Sequence, residues 1–514
     1  MKLFKKMMTF VLTAIMTVAL GATNVYADDP NLTVAEGDTH TYAVYQIFKG
    51  ELSGNVLSNV KWGKNGIGTE NSAVDKTTLD AIGAITGTDA EMAAALSAYA
   101  NLTGTAFAEV SADSPATVPT GYYLIKDKEA PTNGEEATLY IVQVVGPTEI
   151  TRKSGTTSSD KKVDDVNDSD TTAAADNGKL QTSSDYDIGD DVPYHVTATI
   201  SSGARYYKEY EITLEDILES DKFDAITLNK SAIKLGDETI ADTENYTVTT
   251  TWDSEPTKDG FKVTFKFTAK PGKTLETIEG QVIKIDFTAK LGTGAAIGAA
   301  GNKNTLKVSF SNNPNTTDKG TAPDKVVITF TYKVVVDKYD ENGTTPLEGA
   351  GFTLYKVSKA DAEAGVTGAD ATAKNTAWAA KAIKTWSSTA TEGKTTGKNN
   401  RFSFNGIDDG YYVLCETTTP SQYNTMEPQV FKVTATHGGE DGLTLETLSG
   451  NKVTGDISFN VAKDTGTLST DITNKKGTEL PSTGGIGTTI FYVLGGLLVA
   501  GAGIVLVARK KATE

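Results

Sequence analysis

The sequence predicts an all-β protein built from three tandem antiparallel sandwiches, and three observations carry that expectation. Short alternating segments rich in Thr, Val, Ile, Tyr and Phe recur along the chain, separated by Gly, Asn and Asp. The 514 residues, less two terminal segments of distinct composition, suffice for roughly three domains of about 100–200 residues each. Helical periodicity is confined to short patches, Asp75 to Ile85, Ala90 to Ala100 and Ala377 to Thr385.

The ends set the compartment. Lys2, Lys5 and Lys6 precede an apolar run from Met7 to Gly21 and then Val25-Tyr26-Ala27, the layout of a secretory signal peptide cut after Ala27. At the other end Leu480-Pro481-Ser482-Thr483-Gly484 is followed by an apolar stretch, residues 490–508, near the ~20 residues a spanning helix needs. Arg509, Lys510 and Lys511 then hold that helix's end on the cytoplasmic side. Cys415 is the single cysteine, so no intrachain disulfide fastens this exported chain. His40, His195 and His437 are far apart in sequence, which disfavours a zinc site or a Ser-His-Asp triad. A net charge of −18 argues against nucleic-acid partners.

Strands are expected at Thr138 to Val145, Val192 to Ile200, Tyr246 to Trp252, Phe261 to Ala269, Gln281 to Ala289, Thr305 to Phe310 and Lys325 to Val336. The polar stretch from Lys153 to Asp160 reads as a linker. The long run from Lys325 to Lys338 reads as a handover between sandwiches near Tyr332, and Asn474 to Glu479 as a connection to the tail. The division is therefore 1–27 signal peptide, 28–152 N-terminal domain, 153–331 middle domain, 332–475 C-terminal domain and 476–514 tail. Leu291 to Gly301 is a Gly/Ala loop without the Lys-Ser/Thr ending of a phosphate cradle. Asp165-Val166-Asn167-Asp168-Ser169-Asp170 has Asp170 where a calcium loop needs glycine, so neither a metal nor any other cofactor is expected.

Gly410 to Tyr423, with Tyr412, Leu414, Glu416, Thr417, Pro420 and Tyr423, resembles the E-box strand of Cna-type B domains in Gram-positive pilins. Asp337 to Gly343 followed by Pro346 to Leu354 resembles the opening hairpin of that domain. Asp160 to Val163, Ile188 to Tyr194, Tyr210 to Leu218 and Gly301 to Pro314 are similar to the preceding isopeptide-forming domain of pilin shafts. Tyr45 to Phe48 and Gly121 to Ile125 look like a pilin N-terminal domain. The C-terminal order resembles the LPxTG sorting signal of sortase substrates. The resemblance thus covers nearly the whole chain and implies immunoglobulin-like, Cna-type sandwiches in a backbone pilin.

That resemblance implies a specific chemistry. In each of two sandwiches a buried lysine and asparagine condense to an amide with a carboxylic acid assisting, and there is no catalysis on outside substrates. Strand parity then sorts the candidates. Asn474 is in step with Leu468, Thr470 and Ile472, and Glu416 with Tyr412 and Leu414; Lys333, in step with Val335, is the expected lysine and Lys338 the alternate. In the middle domain Lys161 is in step with Val163, and both Asn304 and Asn312 fit, with Asn304 preferred by family placement; Asp216 is the expected acid and Glu215 its rival. A sortase would cut between Thr483 and Gly484. By position, Lys153 is the amine that accepts the incoming Thr483, although the Tyr-Pro of the family's linkage motif is missing before it. The implied partners are a polymerising class C sortase, a housekeeping sortase, further copies head to tail, peptidoglycan and minor or tip pilins. A minor pilin or a monomeric wall-linked adhesin is the alternative reading.

Overall fold

The computed structural model describes residues 31–53, 56–85, 95–129, 134–136, 139–144, 146–150, 155–170, 179–313, 317–439, 442–477, 494–495, 497–499 and 501–502. Lys153 and the Leu480 to Gly484 pentapeptide lie outside them, as do residues 1–30, which hold the segment expected to be a signal peptide, and most of residues 476–514. Residues 494–495, 497–499 and 501–502 are helical and exposed, and no described helix is long and apolar enough to cross a membrane.

Six sheets pair into three layered units, as the alternating pattern requires. In the first unit a five-stranded sheet contains Tyr42–Ser53 and Gly121–Asp127, and a three-stranded sheet is centred on Asn31–Val34. Tyr42 and Val44 pack with Tyr123 and Ile125 towards the small sheet. Tyr45 and Ile47 pack with Leu124 and with Ile82 of the helix Lys76–Gly83. That helix begins at Asp75, whose side chain accepts from the Thr78 N–H.

The middle unit is a sandwich of two seven-stranded sheets. One holds Ser158–Asp164 beside Asp191–Thr199 and Val282–Leu291; the other holds Lys325–Phe330, Asn302–Ser311, Glu209–Leu218 and Gly260–Ala269 in that order. Alternation is strict where one face meets the core. Val192, Tyr194, Val196 and Ala198 point inward from one strand, and Tyr210, Ile212, Leu214, Asp216 and Leu218 from another.

The last unit packs two five-stranded sheets. Its first strand, Tyr332–Tyr339, pairs in parallel with its last, Thr467–Thr473, from Lys333 opposite Thr467 to Tyr339 opposite Thr473. The facing sheet centres on Gly351–Val357 and Gly410–Thr418. The long run from Lys325 divides at Thr331: Lys325–Phe330 pairs in the middle unit and Tyr332–Tyr339 in the last.

Two local expectations need correction. Ser158 to Asp160, read as linker, is strand, because Ser159 and Lys161 turn inward while the exposed residues between them alternate outward. The helix expected over Ala377 to Thr385 instead covers Ala371–Ala379, since Asp370 caps it by accepting from the Ala373 N–H; Lys384–Ser388 is a strand. A second short helix, Lys359–Ala364, is capped by Ser358.

Candidate functional site

Two lysine, acid and asparagine sets converge in dry cores, one in the middle sandwich and one in the last. In the middle sandwich Lys161 projects from the first sheet, and Asp216 and Asn304 project from the second. Asp216 lies opposite Leu306 and Asn304 opposite Leu218, so the two polar residues are diagonal neighbours on one inner face. Lys161 Nζ contacts Asp216 Oδ2, and both side chains are fully buried. The rings of Tyr194 and Phe287 lie 5.4 Å from Nζ. The Asn304 amide stands beside Asp216, near enough to pull its pKa down against the desolvation that raises it, yet it makes no well-directed hydrogen bond among the described residues. Asp216 Oδ1 is likewise unpartnered.

Electrostatics follow from that dryness. Desolvation lowers the Lys161 pKa and raises that of Asp216, each opposed by the charge of the other. Both shifts favour the neutral amine and the neutral acid. The rivals stand elsewhere: Glu215 points outward beside Lys262, at 3.6 Å and about two-fifths exposed. Asn312 lies beyond the strand's end, beside Gly320. It is six positions past the residue opposite Asp216, about 20 Å at ~3.4 Å per residue.

In the last sandwich the lysine at the asparagine is Lys338, not Lys333. Tyr332, Val334 and Val336 face the core and Lys338 continues their parity, whereas Lys333 is half-buried on the opposite side. Val334, Val335 and Val336 are all buried, so the sequence offered no polar partner by which to tell one face from the other. Lys338 Nζ donates to Asn474 Oδ1, and Asn474 Nδ2 donates to Glu416 Oε1 at 2.7 Å and Oε2 at 2.9 Å. Lys338 Nζ is 3.8 Å from Glu416 Oε1 and 5.8 Å from the centre of the Phe352 ring. Glu416 also accepts from the Met426 N–H at 2.7 Å. Burial brings the Lys338 pKa down to about 8 against the pull of Glu416.

The two sets share a chemical capability. An amine deprived of water is a nucleophile, and an adjacent carboxyl can carry its proton to the departing amide nitrogen. Sequence parity missed a third fully buried lysine, Lys356, which lies among Asp168, Asp187 and Asp408. Its step with Phe352 and Leu354 along Gly351–Val357 was the available signal. The acids of Asp165 to Asp170 are occupied as well: Asp168 pairs with Lys356, Asp170 with Lys359, and Asp165 faces His437.

Residues 332–452 match the prealbumin-like fold domain of the SpaA family model, and residues 472–514 match the LPXTG cell wall anchor motif. The chain is 27% identical to the trypsin-resistant surface T6 protein of Streptococcus pyogenes serotype M6 over 49% of its own length, and 25% identical to the fimbrial subunit type 1 of Actinomyces viscosus over 63%. It spans 52% and 61% of the lengths of those two relatives. Its fold is that of the T6 backbone pilin of serotype M6 Streptococcus pyogenes, with a TM-score of 0.50, 16% identity and coverage of 88% of this chain and 100% of that one. The fold and the anchor together define a cell-wall-anchored surface protein. More particularly, its last unit matches the prealbumin-like domain and its tail the LPXTG anchor motif, and over about half or more of its length the chain resembles a trypsin-resistant surface protein and a fimbrial subunit.

Proposed function

We propose that this chain is the polymerising shaft subunit of a pilus, with domains at 28–152, 153–331 and 332–475, two of them closed by self-formed amides. The observation that carries this reading is the pair of buried sets, Lys161 with Asp216 and Asn304, and Lys338 with Glu416 and Asn474. In each, the neutral lysine Nζ bonds to the asparagine Cγ, the Cγ–Nδ2 bond breaks, and the acid relays one proton from the amine to the leaving nitrogen, which departs as ammonia. The Lys161 amide would tie one sheet to the other; the Lys338 amide would tie the first strand of the last sandwich to the residue after its final strand. Such cross-links answer the lack of disulfides in an exported chain whose single cysteine, Cys415, is buried.

The same reading gives the ends their roles. A class C sortase holds Thr483 as a thioester, the Lys153 amine of another copy displaces it, and a housekeeping sortase passes the finished polymer to peptidoglycan. Minor or tip pilins are further partners.

Intact mass tests the amides. The chain is expected to be lighter than its sequence by two molecules of ammonia, with Lys161→Ala and Lys338→Ala each restoring one. A full, unreduced mass for the parent chain would overturn the proposal.

A second expectation concerns pH. Glu416→Gln slows condensation and leaves Lys338 free in the folded chain. Its pKa there is about 8, and lower once Glu416 is neutral, against 10.5 in the unfolded chain. Across that interval the unfolded chain binds more protons than the folded one, so stability should rise as pH climbs from about 8 to about 10.5. Chemical denaturation of the variant at stepped pH reads this directly. A flat profile would mean that Lys338 is not buried without a countercharge.

A further inference from the structure

Three lysines have essentially no exposure in the described structure, Lys161, Lys338 and Lys356, and the third sits in a different chemical setting from the others. Lys356 belongs to the last sandwich, yet its Nζ is shared between domains. It reaches Asp408 Oδ1 of its own unit at 2.5 Å and Asp187 Oδ2 of the middle unit at 3.1 Å, and it contacts Asp168 of the middle unit. No asparagine amide is among these partners. Asp187 also accepts the backbone N–H of Asp408 at 2.9 Å, so one middle-unit carboxylate grips both the lysine and the turn that presents its partner.

Further hydrogen bonds from main-chain N–H groups close around this point. The Ile188 N–H donates to Gly406 O at 3.0 Å, the Tyr411 N–H to Ser169 Oγ at 3.1 Å, and the Lys359 N–H to Ser169 O at 2.8 Å. Gly406 has φ +77°, and a Cβ there would stand 2.5 Å from the Ile188 side chain, so only glycine lets the turn seat against the middle unit.

We propose that Lys356 is a non-covalent latch between the middle and last sandwiches: it stays an uncondensed ammonium, and through Asp187 and Asp168 it makes the two units one rigid body. The latch does not depend on either amide forming. A lysine ringed by carboxylates keeps its proton, whereas one faced by an amide and a single acid can lose it. The directions agree, since burial lowers Lys161 and Lys338 while the three carboxylates outweigh burial and raise Lys356. Within its own sandwich Lys356 has Asp408 alone among these acids, so separating the units would take two of its three carboxylates away and leave those two without its ammonium.

Hydrogen exchange on the purified chain and its Lys356→Met variant tests the latch. The expected result is exchange about 100-fold faster at the Ile188, Lys359 and Tyr411 amides in the variant, with the amides of Asp191–Thr199 unchanged. Intact mass should show the same ammonia losses in both. Unchanged exchange at the seam would overturn the proposal, and so would a parent chain lighter by one further water, which would mean that Lys356 has condensed with a carboxyl. Should Lys356→Met fail to fold, Asp168→Asn, at a half-exposed partner, is expected to speed exchange at the same three amides several-fold, and no change there counts against the latch.

Discussion

Lys338→Ala is expected to lower the unfolding midpoint of the last sandwich by roughly 15 °C, while Lys333→Ala leaves it nearly unchanged. The amide would join residues 136 positions apart, and the chain entropy it removes from the unfolded state is worth about 5 kcal/mol. For a unit of this size each kcal/mol moves the midpoint by about 3–4 °C. Scanning calorimetry of the two variants separates the two lysines. Lys338 continues the buried parity of Tyr332, Val334 and Val336, and Lys333 does not. Equal midpoints for the parent chain and Lys338→Ala would mean that no bond forms there.

Lys153→Ala is expected to abolish every species above the monomer in wall extracts resolved in hot detergent, and Thr483→Ala should do the same. In the proposed assembly the first removes the attacking amine and the second disrupts the pentapeptide that sortase would read. Both variants should keep the two ammonia losses, since neither residue belongs to a buried set. A ladder that survives Lys153→Ala would move the linkage to another lysine. A parent chain that forms no ladder would return the protein to the reading of a monomeric wall-linked adhesin.

Much of the fold was legible because period-2 alternation is a direct imprint of a half-buried sheet. Val192 to Ile200 and Thr305 to Phe310 fall within a residue or a few of the observed Asp191–Thr199 and Asn302–Ser311. The inward positions of Lys161, Asp216 and Asn304 follow the same alternation, but parity fitted Asn312 equally well, and only family placement favoured Asn304. Parity failed where both faces of a strand are covered, as across Val334 to Val336. It also failed to reveal Lys356, whose partners come from three separate segments and meet only when two sandwiches dock. The shifted helix shows a smaller failure: an aspartate cap at Asp370 outweighed the alanine-rich stretch that followed.

The parallel pairing of Tyr332–Tyr339 with Thr467–Thr473 sets how the last sandwich responds when its two ends are drawn apart. The strands would be sheared lengthwise, so all the pairs from Lys333 to Tyr339 share the load at once instead of unzipping singly. With Lys338 welded to Asn474 as proposed, the pull would run down the first strand, cross the weld and leave the domain. The 135 residues between them, able to pay out about 450 Å of slack if released, would never feel it.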